Sequence, residues 1–272
     1  MPSRPPLYVG YLRLPERHRR FVVGVAVVFV CLLAAAGGGV ALSQRDPGDA
    51  VWDTGMERTW TGVVRMEPYP MLVGDDGSAS LIVGMGKFAV RDRVAPFDGM
   101  ACEVRGFALA REHRRMIELS MDDDAIRALP GAPVPAVETA PVGAGENVVV
   151  IGEIVDGKCY LGAMKPGDGK AHKACAVLCI SGGLPPLVAA DVPGAGRLYP
   201  LLLVDGAAVL PGRVLEVVGE PVRIEGRLLV RHGFPVLETS VGGISRVGRS
   251  VRQSPPAERD PGRDEGRAGT GG

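Results

Sequence analysis

The distribution of apolar residues divides this chain into three regimes. Residues 21–42 form an apolar run without a single charge, about 33 Å long as a helix and therefore able to cross a bilayer. From residue 59 the pattern changes to short stretches rich in β-branched residues, at 59–66, 71–73, 80–83, 87–92, 100–110 and 116–119. Turn formers separate them, among them Pro68-Tyr69-Pro70 and the hairpin signal Gly74-Asp75-Asp76-Gly77. Asp122-Asp123-Asp124 ahead of residues 125–129 reads as one capped helical turn. Short antiparallel strands at this spacing predict a small β-barrel over 56–129, with 44–55 as a polar spacer and the proline-rich stretch 130–146 as a linker.

A second β pattern opens at residue 147 and resumes at 187–190, 198–204, 217–230 and 234–239, giving a second barrel over 147–245. It echoes the first. Residues 102–120 align without a gap on 222–240 at an offset of 120, sharing Gly106/Gly226, Leu109/Leu229, Arg111/Arg231, Glu118/Glu238 and Ser120/Ser240. The opening strands align at an offset of 90, with Gly62 on Gly152. The second copy is thus longer by about the length of residues 156–186, which the pattern marks as an insertion. An insertion into a complete barrel predicts that its removal leaves a foldable domain. Beyond residue 246 the chain has no apolar run and reads as a disordered tail.

Charge decides the compartment. Thirty-one basic and thirty-one acidic side chains leave no net charge, which removes a general attraction toward nucleic acid. Arg13, Arg17, Arg19 and Arg20 precede the apolar run and Arg45 alone lies close behind it. The positive-inside bias therefore predicts a cytoplasmic segment 1–20, a transmembrane anchor at 21–43 and an extracytoplasmic remainder. A cleaved signal peptide is the alternative, since Ala34-Ala35-Ala36 and Val40-Ala41-Leu42 offer small residues. Cys31 falls within the span and reads as a small buried hydrophobe.

The chemistry concentrates in the insertion. If residues 170–180 are helical, as the Gly182-Gly183 stop suggests, His172, Cys175 and Cys179 fall within roughly 60° of one face. Cys159 stands upstream across a Pro-Gly-Asp-Gly turn that folds it back toward that face. Three thiolates and an imidazole suit tetrahedral Zn2+ or a soft copper ion. Two other readings stand beside this one: a structural disulfide from Cys159 to Cys175 or Cys179 in an oxidising compartment, and plain packing of reduced thiols. Lys158, Lys165, Lys170 and Lys173 surround the cysteines, either as a solvated rim or as a docking patch for an acidic partner.

Residues Cys159, His172, Cys175, Cys179, Gly182 and Gly183, followed by short strands, resemble a family of small exported bacterial proteins. Their pattern is Cys…His-x2-Cys-x3-Cys-x2-Gly-Gly, on a barrel similar to the oligonucleotide/oligosaccharide-binding (OB) fold. The resemblance covers residues 147–240 and implies a small barrel and an envelope location, with no activity attached.

Several enzyme classes are excluded by the residues. No C-x-x-C occurs for haem attachment or a thioredoxin-like dithiol, and no G-x-S-x-G or phosphate loop is present. His113 and His232 read as solvated turn residues among arginines. The few candidate stacking aromatics, Tyr160, Tyr199 and Phe234, argue further against nucleic acid. The expected fold class is all-β: two tandem OB-like barrels after a transmembrane helix, with a short helix in the Cys/His insertion of the second. The expected function is that of an inner-membrane-anchored accessory protein, its bulk in the periplasm, binding a metal or another membrane or periplasmic protein. A thiol-redox factor using Cys175 and Cys179 is the alternative.

Overall fold

The computed structural model describes residues 14–44, 48–131, 145–192 and 196–247, and the chain divides into two units, 1–46 and 47–272. The first holds helix α1, Glu16–Ser43, in which no residue is buried. It is apolar and long enough to cross a membrane. It begins before the uncharged run, because Glu16 and Arg20 pair one turn apart and extend the helix into the charged flank.

The second unit contains two closed five-stranded barrels. In the first, β1 (Val51–Arg65) pairs with β2 (Met71–Val73) at one end and with β4 (Ala101–Arg111) along its length. A register shift between Asp53 and Arg58 lets the long strand coil. The order β1-β2-β3-β5-β4 closes back on β1, using β3 (Ala79–Val83) and β5 (Arg114–Leu119), which run parallel. A sixth strand, β6 (Ile126–Ala128), lies along β4.

The second barrel has the same pairings. Strand β7 (Glu146–Asp156) takes the place of β1, β8 (Pro186–Val192) that of β2, and β10 (Leu201–Val204) that of β3. Strands β11 (Pro221–Arg231) and β12 (Phe234–Thr239) correspond to β4 and β5, and β13 (Ile244–Arg246) lies along β11 as β6 lies along β4. A short strand, β9 (Gly196–Leu198), adds a hairpin to β8. The aligned glycines do the same job in both barrels. A Cβ on Gly106 would overlap the carbonyl oxygen of Glu118, and one on Gly226 that of Glu238; Gly62 and Gly152 meet Val73 and Ala189 in the same way. At each place the backbones approach too closely for any side chain.

Three expectations change. Residues 87–92 are not a strand: after Gly84 and Gly86 the chain runs as a loop into α2 (Arg91–Val94), which buries Val90 and Val94 one turn apart. The capped turn expected at 125–129 is strand β6, because so short a segment gains more by pairing Ile126 with Val104 than by nucleating a helix. The spacer is also shorter than expected, since Ala50 is already buried and β1 starts at Val51. Most of the linker and of the tail lies outside the described residues.

Each barrel has its own core, built on Val64, Ile82, Val104 and Leu119 in the first and on Ile154, Leu202, Val222 and Ile224 in the second. A third core lies between them. There Met71, Leu81, Leu109 and Met116 of the first barrel pack with Tyr160, Leu161, Tyr199, Phe234 and Val236. The aromatics considered for base stacking are therefore fully buried.

Candidate metal centre at the junction of the barrels

The site grows from the end of β7. In the first barrel only residues 66–70 join the first two strands, whereas 157–185 fill the same connection in the second. Asp156, fully buried, accepts the backbone N–H of Cys159 on its Oδ1 at 2.8 Å, which turns the chain sharply out of the strand. Cys159, Tyr160 and Leu161 are driven into the shared core by that turn. Helix α3, Gly169–Ser181, then returns across the barrel end, its first N–H capped by the Glu153 carboxylate of β7. Burial raises the pKa of Glu153. The helix stops at Gly182 and Gly183, where φ is +96° at Gly183 and Leu184 N–H returns to the Cys179 carbonyl.

The sequence-predicted face is the buried one: His172, Ala176, Cys179 and Ile180 are buried and Cys175 is half-buried. The ligand atoms of Cys159, His172 and Cys175 lie within 4.8 Å of one another, and those of Asp156, Cys159 and Cys179 form a second such group. Cys159 belongs to both. Tetrahedral zinc, with bonds of about 2.0–2.3 Å, holds its ligand atoms about 3.5 Å apart, so the first group needs only a modest contraction to close on an ion. Asp156 Oδ2 lies 3.1 Å from Nε2 of His172, the kind of carboxylate contact that orients a metal-binding imidazole. None of the five cysteines is in a disulfide, so the cross-link from Cys159 to Cys175 or Cys179 is not formed.

Lys87, from the loop after β3 in the first barrel, was not foreseen. Its ammonium donates to Cys175 Sγ at 2.8 Å and to Cys179 Sγ at 3.1 Å. These two bonds raise its own pKa. The Cys179 thiol is pulled down to about 6, first by the hydrogen bond from Cys159 and then by Lys87, against the effect of burial. Cys159, the donor in that bond, is pushed up by it, by burial and by the Asp156 charge.

The four lysines do not form one rim. Lys158 is buried against the first barrel, donating to the carbonyls of Gly84 (2.8 Å) and Gly86 (3.1 Å) and facing the Glu118 carboxylate at 3.2 Å. Two carbonyls accept its N–H groups and a carboxylate faces its charge, which is what makes a buried ammonium tolerable. Lys173 is held by Glu220 and the Glu216 carbonyl. Lys165 and Lys170 remain exposed. Sequence reasoning missed Asp156, Glu118 and Lys87 as parts of the site. Asp156 carried a signal, an acidic residue ending an apolar strand just before a cysteine; Lys87, in a different barrel, carried none.

Comparison with protein families, curated proteins and solved structures finds no match.

Proposed function

We propose that this is a membrane-anchored binding subunit whose second barrel carries a structural zinc centre formed by Cys159, His172, Cys175 and Cys179. The observation that carries the reading is the convergence of Cys159, His172 and Cys175, the first two of them buried, with a carboxylate behind the histidine. Cys179 touches both Cys159 and Lys87, and supplies the fourth ligand. Three sulfurs and one nitrogen in a buried, closed setting are the donor set of structural zinc, and a soft ion such as copper(I) is the competitor in the same pocket. The location in the connection between the first two strands supports a binding role, because OB-type barrels use that loop to engage ligands.

The orientation in this reading rests on Arg13, Arg17, Arg19 and Arg20 on the N-terminal side of the uncharged run, since the positive-inside bias favours residues 1–20 in the cytoplasm and the barrels in the periplasm of an inner membrane. Alkaline phosphatase fused after Arg45 should then be active, and an inactive fusion would reverse the orientation. The zinc reading is tested by metal analysis of the full chain purified in detergent. About one equivalent of zinc, lost in His172→Ala, is expected; a chain free of zinc after purification in its presence would sink the reading. A second reading has one observation in its favour, the ammonium shared by Cys175 and Cys179, which suits a reactive dithiol. A reversible two-electron couple in the metal-free chain would favour it.

A further inference from the structure

All four candidate ligands come from the second barrel, yet the first barrel closes around them. The loop after β3 is held on two sides. Lys158, directly before Cys159, binds the carbonyls of Gly84 and Gly86. On the other side Ala89 N–H donates to Gly182 O at 2.9 Å, and beside it Tyr69 OH, from the connection between β1 and β2, donates to Gly183 O at 2.8 Å. A Cβ on Gly182 would overlap the Lys87 carbonyl, so the helix end and this loop lie in direct backbone contact. Between these two attachments the loop has one side chain that reaches inward to the sulfurs, and it is Lys87.

We propose that Lys87 is a positioning and charge-balancing residue of the metal centre, making the first barrel part of a site whose ligands all belong to the second. This inference rests on the zinc reading. The ligand set of three thiolates, one neutral imidazole and a divalent ion carries a net charge of minus one, and the Asp156 carboxylate faces the imidazole from outside that set. A single ammonium within hydrogen-bond distance of two of the sulfurs offsets that charge and aims N–H groups at the lone pairs the metal does not use. Among the described residues no other cation donates to these sulfurs. Lys158 is committed to Glu118 and two carbonyls, and Lys173 to Glu220. Zinc occupancy and docking of the barrels are then thermodynamically linked: whatever pulls Lys87 away weakens the metal, and the metal holds the first barrel in place.

The test uses the full chain in detergent with Lys87→Met, Lys87→Gln and Lys87→Arg, zinc affinity read by competition with a chromophoric chelator and thiolate ligation read from the Co2+ spectrum. Lys87→Met and Lys87→Gln should bind zinc about tenfold or more weakly, with the thiolate-to-cobalt charge-transfer band retained, and Lys87→Arg should recover most of the loss. Unchanged affinity in both neutral variants, with zinc still bound by the unsubstituted chain, would overturn the inference and leave the zinc centre standing. A loss of equal size in Lys87→Arg would overturn the charge role. Absence of zinc binding in the unsubstituted chain would remove both.

Discussion

The carboxylate of Asp156 serves His172 and Cys159 at once, with Oδ2 3.1 Å from the imidazole and Oδ1 2.8 Å from the backbone N–H that begins the Cys159 turn. Fold and site therefore depend on the same side chain, and two substitutions separate its roles. Asp156→Asn keeps an acceptor for Cys159 and removes the charge facing the ring; zinc affinity should fall about tenfold or more while stability changes little. Asp156→Ala leaves the N–H of Cys159 buried without a partner as well, and should cost about 1–3 kcal/mol in chemical denaturation of the apo chain. Equal stability of the two variants would contradict the assignment.

The Lys158–Glu118 pair joins the barrels with side chains almost fully buried. Breaking one half strands a charge, so Lys158→Met alone should destabilise the chain by about 3–5 kcal/mol. Replacing both, as Lys158→Met with Glu118→Leu, should recover most of that loss. Denaturant midpoints of the two variants decide the matter, and a double variant no better than the single would show that the pair is more than a mutual neutralisation.

Gly106 and Gly226 are corresponding sites in the two barrels where no side chain fits. Alanine at either would collide with the carbonyl of Glu118 or Glu238 and should cost about 2 kcal/mol or more, well beyond an ordinary strand substitution. Similar losses at the two positions, read from thermal midpoints, would support equivalent roles in the two barrels. A neutral outcome at either would count against the close approach.

Acid should loosen the first half of α3 before the cores yield. Glu220 is lowered from its ordinary 4.5 to about 2, chiefly by hydrogen bonds from Lys173 and then Arg246. A carboxylate depressed in the folded state contributes stability that is complete above pH 4.5 and disappears as pH falls toward 2. Glu220→Gln should flatten the stability profile between those values while leaving the neutral-pH profile parallel to that of the unsubstituted chain. An unaltered acid limb would show that the network of Lys173 and Arg246 is not formed in solution.

The barrels, the strand correspondence and the helical His172/Cys175/Cys179 face were legible because each rests on local periodicity. Alternation marks strands, a three-to-four spacing marks a buried helical face, and a repeated glycine marks a close backbone approach. Residues 87–92 and 125–129 were misread because their local preferences are weak and tertiary contacts decide them: Lys87 is fixed by two sulfurs and Ile126 by pairing with Val104. The insertion was expected to be removable. Its Tyr160, Leu161, Cys179 and Leu184 instead fill the core between the barrels, a fact of long-range packing that no window of sequence contains. Replacing 158–184 with a short Gly/Asp turn should accordingly split the single unfolding transition into two or expose apolar surface to a hydrophobic dye. A single sharp transition with no dye binding would restore the view of a detachable insertion.

The third core gives the chain the character of a heterodimer whose two protomers are joined by a peptide bond. Cutting the backbone between the barrels should then leave two fragments that co-purify, bound by surfaces that neither can safely show to water alone. Either barrel expressed by itself would behave as an orphaned subunit, prone to find a copy of itself or another apolar surface. For a protein of this construction, completing the second barrel is what gives the first its partner.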